Sequence, residues 1–202
     1  MDDQAMVNLL QHPEALDDWV QLRLPAVLMD GVYARPAQNL RRAAVLIPLL
    51  RTDGQWSLLF TRRTDTVIDH KGQVSFPGGA REAVDQTDEE TALREAQEEI
   101  GLDPACVKVL GKLEPFETIS RYEIIPIVAR LDWPVRLTLS PQEVNRVFTI
   151  PVGWLGDCRN WSEVAYNHHR VIQYERYDGE LLWGITASIT QQFLRKMGWM
   201  GC

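Results

Sequence analysis

Glu95, Glu98 and Glu99 have the residue type and spacing to do chemistry together. On a helix of 3.6 residues per turn, positions i, i+3 and i+4 fall on one stripe about 100° wide. Ala92, Leu93, Ala96 and Ile100 form the neighbouring stripe. One helix can therefore pack an apolar edge on a sheet while presenting three acids beside it. A solvated acidic face is the ordinary meaning of such a pattern, but two features argue against it. Like charges at these spacings repel, and Arg94 is the only base between residues 88 and 100. The cluster also follows a Pro77-Gly78-Gly79 turn, where backbone and ligand can approach closely. Clustered carboxylates are hard oxygen ligands that suit Mg²⁺ or Mn²⁺ rather than zinc. Such an ion lets a negatively charged phosphate sit against negative side chains.

The elements that must position these residues are legible around them. Thr87 and Glu90 fit a capping box at the start of a helix over 88–100, and Gly101 fits a left-handed terminator. Ala43–Leu50 and Trp56–Phe60 read as strands joined by an Asp53-Gly54 turn. Gln73–Phe76, Val107–Leu113, Ile124–Leu131 and Val147–Val152 are further strand candidates. An amphipathic helix spans roughly Ile185–Met197, with Arg195 and Lys196 in its last turns. Strands, a central helix, more strands and a closing helix predict an α/β layered fold with a mixed sheet. Residues 1–40 read as an N-terminal extension packing on a domain of residues 41–202. Its short apolar stretches are broken by Pro13, Pro25 and Pro36.

Bulk composition narrows the function classes. At 202 residues, 45% apolar and 24% charged, the chain has the make-up of one globular domain. Its net charge of −7 disfavours broad binding to nucleic acid or to an anionic membrane. Cys106, Cys158 and Cys202 are widely spaced with no CxxC pair, which argues against a zinc site and against a secreted disulfide framework. The acidic N-terminus is unlike a signal peptide, and no apolar run reaches the roughly 18–20 residues that span a bilayer. A cytoplasmic enzyme is the expectation.

The stretch R-E-A-Q-E-E-I-G-L, Arg94 to Leu102, resembles the second half of the box that defines Nudix diphosphatases. Arg94, Glu95, Ala96, Glu98, Glu99, Gly101 and Leu102 match in order. The front of the box departs from the pattern. Fourteen residues rather than thirteen separate Gly79 from Arg94, and Gln86 stands where a glutamate is expected. Asp85 or Asp88 could supply that carboxylate. Leu58 to Gly79, L-L-F-T-R-R-T-D-T-V-I-D-H-K-G-Q-V-S-F-P-G-G, is similar to the extended motif of the coenzyme A pyrophosphatase branch, which shows a similar extra residue. Trp183 to Ala187 resembles the start of that branch's last helix. The resemblance implies a Nudix α/β/α sandwich that uses Mg²⁺ or Mn²⁺ to cut coenzyme A into 4′-phosphopantetheine and adenosine 3′,5′-bisphosphate.

The same resemblance implies roles. Glu95 and Glu99 bind metal, and Glu98 shares a metal or orients the attacking water. Arg94 pairs with and orients a carboxylate. A further acid from a distant loop is characteristic of the family, and Glu143 is the candidate. Arg62 and Arg63 end a strand, so their side chains face opposite sides of the sheet. A guanidinium there suits the 3′-phosphate or the diphosphate. His70, Gln73 and Phe76 become candidates to line the pocket, with Phe76 equally suited to the core, and Gly78 and Gly79 shape the loop into the helix. His168 and His169 read as surface or loop residues. The implied partner is a small molecule, with a homodimer left open. Two alternatives remain: a Nudix pyrophosphatase for ADP-ribose, NADH or a dinucleotide polyphosphate, and a non-catalytic nucleotide-sensing module.

Overall fold

Strand β1 (Arg41–Thr52) and strand β2 (Gln55–Arg63) form the hairpin expected around Asp53-Gly54. Both turn residues have positive φ, 49° and 78°, the geometry that fits a two-residue turn to the twist of its strands. The computed structural model describes residues 13–23, 40–64, 72–167 and 169–201. Beyond Leu49–Thr52 and Gln55–Leu58 the two strands part. Strand β3 (Val74–Ser75) pairs with Thr61 and Arg62 of β2, and strand β4 (Gly78–Ala80) pairs with Ala43–Val45 of β1. The chain between the strands thus enters the wedge they leave open. That is where the acidic helix begins its approach.

Helix α1 (Pro13–Arg23) precedes the sheet, and helix α2 (Asp88–Ile100) follows β4. Then come β5 (Val107–Lys112), β6 (Phe116–Glu117), β7 (Tyr122–Leu131) and β8 (Val144–Pro151). Strand β7 runs parallel to β1, and the remaining pairings of the eight-stranded sheet are antiparallel. The sheet is mixed, as the order of elements predicts. A one-turn helix α3 (Val152–Leu155) leads to a separate hairpin, β9 (Trp161–Tyr166) with β10 (His169–Tyr174). Helix α4 (Gly184–Met197) closes the chain. His169 opens β10 as an exposed residue, and His168 lies outside the described residues.

Alternation along β1 divides the core in two, because successive side chains face opposite sides of a sheet. Ala44, Leu46 and Leu50 pack with Ala92, Ala96 and Ile100 of α2, whereas Ile47 and Leu49 pack with Ile189, Phe193 and Leu194 of α4. The α2 side is floored by alanines. Ala44, Ala92, Ala96 and Ala129 are all fully buried, so helix and sheet meet over a layer of single methyl groups. The architecture is α/β/α, with α1 and α4 on the face opposite α2.

Two features differ from the sequence reading. Pro13 starts a helix rather than breaking the chain; its missing N–H and fixed φ suit a first turn. Leu16 and Val20, four residues apart, are fully buried in the α4-side core, and the Trp19 indole donates to the Met197 carbonyl. Cys158 is disulfide-bonded while Cys106 is free, a distinction that the spacing of the three cysteines did not indicate. No helix among the described residues is long and apolar enough to cross a membrane.

Asp17 fastens α1 to the sheet. It is 3% exposed, and its carboxylate accepts from Arg130 Nε at 2.8 Å and Lys108 Nζ at 2.7 Å. Replacing it by alanine leaves a largely buried guanidinium short of a partner, at a cost of about 1–3 kcal/mol. In Asp17→Ala, Tm should fall by several degrees, at roughly 2–4 °C per kcal/mol. Turnover at saturating substrate should stay near wild type. An unchanged Tm by calorimetry contradicts this role for Asp17.

Candidate active site

Helix α2 is fixed at both ends. Thr87 caps its start: the Glu90 N–H donates to Thr87 Oγ1 at 3.1 Å, and the Thr87 N–H donates back to Glu90 Oε2 at 3.3 Å. At the other end Gly101 is left-handed, with φ 64°. Its N–H donates to the Gln97 carbonyl, and the Leu102 N–H donates to Ala96. Helix ends leave carbonyls unsatisfied. Here the N–H groups of Thr138 and Ser140 take those of Ile100 and Glu99, at 2.9 and 2.8 Å. These bonds carry the following loop to the helix terminus. Thr64 then holds it from the other side, its N–H donating to the Glu143 carbonyl and its hydroxyl to Gln142, each at 2.9 Å. Glu143 is thereby brought close enough to the glutamates of α2 to act on their charge.

Glu99 is the deepest of the acids, at 2% exposure. Its Oε2 accepts the Gly78 N–H at 3.2 Å, and its Oε1 lies 3.5 Å from Arg63 Nη1. Burial pushes its carboxyl up to about 8, against the opposing pull of Arg63 and Gly78; Glu95 and Glu143 push it further. Glu95 is raised as well, chiefly by burial. The turn ahead of the helix is shaped to this approach. A Cβ on Gly79 would stand 2.5 Å from the Glu95 carboxyl carbon, and one on Gly78 (φ 156°) 2.4 Å from the Ala44 carbonyl oxygen. Only glycine fits at position 78, and a side chain at position 79 would push the Glu95 carboxyl aside. The role of the two glycines is to let carboxylates and backbone close in.

Arg94 binds this assembly together. Its Nε and Nη2 take both oxygens of Asp85, each at 3.0 Å, and Nη2 also donates to the Ala80 carbonyl at 3.1 Å. It lies 3.0 Å from Glu95 Oε1 and 3.0 Å from Glu98 Oε2. Asp85 further accepts from the Glu82 N–H at 2.9 Å and the Thr91 hydroxyl at 3.1 Å. The two aspartates left open by the sequence therefore separate. Asp85 holds the arginine of the box, whereas Asp88 turns to Arg42, at 2.7 and 2.8 Å. The fork to Arg94 holds the Asp85 carboxyl at about 2, well below its ordinary range.

The remaining candidates are distributed as follows. Arg63 faces the α2 side and reaches Glu99; Arg62 faces the other side, 3.8 Å from Glu180. Gln73 lies beside Arg63, its carbonyl accepting the Arg63 N–H at 3.0 Å. Phe76 does not line a pocket. It is 2% exposed and stacked on Phe60 with centroids 4.7 Å apart, because its register on the α4 side points it into the core. His70 lies outside the described residues. The ties from Thr64 and Ser140 carry no local sequence signal, since each bridges distant parts of the chain.

The donor set fits a hard divalent cation. Carboxylates of Glu95, Glu98 and Glu99 lie along one helix face with Glu143 nearby, and burial first, then the neighbouring acids, raises Glu95 and Glu99. Among the described residues, however, no three His, Cys, Asp or Glu side chains are grouped closely enough to clasp an ion as they stand. The physical reason is visible. Glu98 lies 55% exposed, and both Glu95 and Glu98 lean on Arg94 rather than on a common point.

The two displaced carboxyls give opposite pH signatures. Asp85 contributes stability that is complete above its ordinary value of 3.8 and is lost as pH falls toward about 2. Glu99 keeps its proton to about 8 when folded but only to about 4.5 when unfolded, so metal-free protein should lose stability across that interval. In chelator-treated melts, Asp85→Asn should be less stable than wild type at neutral pH and converge with it under strong acid. Glu99→Gln should flatten the decline between about pH 5 and 8. A wild-type Tm that is level across that range contradicts the account of Glu99.

The model of the NUDIX domain matches residues 40–166, well over half of the chain. A protein named "Uncharacterized Nudix hydrolase NudL" from Pectobacterium atrosepticum is 36% identical over 185 residues, covering 88% of this chain and 92% of its own length. Its namesake in Photorhabdus laumondii subsp. laumondii is 37% identical over 193 residues, covering 91% and 98%. Among solved structures, RenU, a Nudix hydrolase from M. smegmatis, aligns with 55% of this chain and 71% of its own at a TM-score of 0.49 and 20% identity. With the box helix and its arginine hub in place, and with relatives similar over nearly their full length, the chain belongs to the Nudix hydrolase family.

Proposed function

We propose that this Nudix hydrolase cuts the diphosphate of coenzyme A, or of its derivatives, with the help of Mg²⁺ or Mn²⁺. The observation that carries the metal-dependent reading is the carboxylate row of α2: Glu99, 2% exposed, shares its helix face with Glu95 and Glu98 directly above the Gly78 turn.

Glu95 and Glu99 would hold the metal from the buried side, with Glu98 and Glu143 at the open side. A bound dication lowers the pKa of water and neutralises charge growing on phosphoryl oxygens. Glu98, more than half exposed, is placed to orient the attacking water and accept its proton. Arg94 keeps Glu95 and Glu98 in register with the turn. Water adds one oxygen to phosphorus, the bridging P–O bond breaks, and each fragment leaves with a phosphomonoester end: 4′-phosphopantetheine and adenosine 3′,5′-bisphosphate. The support for coenzyme A over ADP-ribose or NADH is the motif over Leu58–Gly79. Its described residues lie on β2, β3 and β4 and end at the turn whose Gly78 N–H meets Glu99.

Activity should require a divalent cation and should fall at least about a hundredfold in Glu98→Gln and in Glu99→Gln. Metal-assisted charge stabilisation is worth several kcal/mol, and each 1.4 kcal/mol is about tenfold in rate. Full turnover in excess chelator, with the variants folded and equally fast, overturns the metal site.

Specificity is tested by a panel of coenzyme A, its 3′-dephospho form, ADP-ribose and NADH at matched metal concentration. Coenzyme A should exceed ADP-ribose and NADH by at least about tenfold in kcat/KM. If an arginine of β2 reads the 3′-phosphate, a charge-assisted bond of roughly 1.5–3 kcal/mol gives coenzyme A about a 10- to 150-fold preference over the dephospho form. Equal turnover of coenzyme A and its 3′-dephospho form by the wild type overturns the assignment of a β2 arginine to the 3′-phosphate. ADP-ribose as the better substrate overturns the coenzyme A assignment and leaves the diphosphatase reading standing.

A further inference from the structure

The unusual feature of Arg63 is how little holds its guanidinium. The pairing of β2 with β8 shifts register between Arg62 and Arg63, so that Arg62 stands opposite Arg146 and Arg63 opposite Val144. The backbone there is tied down. The Arg63 N–H donates to Gln73, and the next N–H, from Thr64, donates to Glu143. The side chain is 28% exposed, and its Nη1 lies 3.5 Å from Glu99 Oε1, at the limit of a hydrogen bond. Its Nε is buried with no hydrogen-bond partner among the described residues. A guanidinium presents five donors in a rigid fork, and a buried donor left unmade is costly. The group is thus anchored at its base and weakly held at its tip.

The oxygen it contacts is one that the proposed metal site needs. Glu99 Oε2 accepts the Gly78 N–H at 3.2 Å, and Oε1, with the longer contact to Arg63 at 3.5 Å, is the oxygen held less firmly. A cation arriving at Oε1 must displace Arg63 Nη1. The freed fork then lacks partners at Nη1 and at Nε, and Glu95 and Glu143 supply the neighbouring negative field. Arg94 offers no alternative, since its donors are engaged by Asp85, Ala80, Glu95 and Glu98. A substrate phosphate has the charge and the paired oxygens to accept such a fork.

We propose that Arg63 is an exchangeable counter-ion: it occupies Glu99 while the site lacks metal, is released when a divalent cation takes that oxygen, and then clamps the substrate's diphosphate. The proposal rests on the metal-dependent reading of the site. It makes loading ordered, because the arginine becomes available to the substrate only after the metal has bound.

The test uses the full-length protein, with imidodiphosphate as a non-hydrolysable probe. The Nε–H signal of Arg63 is followed by ¹⁵N-edited NMR and assigned by its loss in Arg63→Lys. It should move when Mg²⁺ is added, and move again when imidodiphosphate follows. Mn²⁺ binding, read from the electron paramagnetic resonance of the free ion, should persist in Arg63→Gln. Imidodiphosphate affinity in the presence of Mg²⁺ should fall at least about tenfold in that variant. If wild type binds Mn²⁺ but the Arg63 signal is unmoved by Mg²⁺, or if Arg63→Gln binds the probe as tightly as wild type, the exchange is overturned and the metal reading survives. If wild type binds no Mn²⁺, the metal reading falls and takes the exchange with it.

Discussion

Like charge held at close range is the constraint on which this molecule is built. Three glutamates share one helix face, and the loop bearing Glu143 is drawn toward them. Each would be more stable further from the others. Two guanidinium groups oppose the separation, Arg63 at Glu99 and Arg94 at the others on the helix. Arg94 reaches across from helix to loop, gripping Asp85 with two donors and the Ala80 carbonyl with one while lying against Glu95 and Glu98. Helix and turn therefore move as one body. The one-residue lengthening of the box is absorbed in the same grip, since the aspartate that meets Arg94 lies one position before the expected glutamate.

The sheet supplies the second half of the arrangement by keeping its two faces separate. Because β1 and β2 diverge, β3 and β4 fill the gap and bring the Gly78 N–H under the end of α2. Alternation along β2 sends its two terminal arginines to different sides. Arg63 goes to the acids, while Arg62 joins Arg146 at the nearly buried Glu180. Adjacent residues of one type thus acquire different environments from the period of a strand alone.

Much of this was legible in the sequence, for identifiable reasons. The capping box and Gly101 are local codes, and they placed α2 to the residue. Apolar runs marked the long strands, and Asp53-Gly54 marked their turn. What escaped has distant causes. Among its described side chains helix α1 fully buries only Leu16 and Val20, and it is fastened by Asp17 to residues some ninety and more positions away. The β9–β10 hairpin carries no strong alternation, its residues being half-buried or exposed apart from Tyr174. Phe76 could be read as pocket or core because an aromatic beside a glycine turn serves either, and only register decides. The choice between Asp85 and Asp88 needed Arg42, forty-six residues from Asp88, to claim one of them.

The alanine floor beneath α2 has a meaning beyond packing. Ala44, Ala92, Ala96 and Ala129 are chemically silent, yet they set how deep the helix lies in the sheet. That depth determines whether Glu99 reaches the Gly78 amide. Each methyl group acts as a shim of fixed thickness. A valine at position 92 or 96 would keep the layer apolar and the helix intact, but would lift the whole row of carboxylates off its seat. The calibration of the reactive groups is thus stored in residues that touch neither metal nor substrate. Drift in this family's activity could be written there without a single change in the box's polar residues.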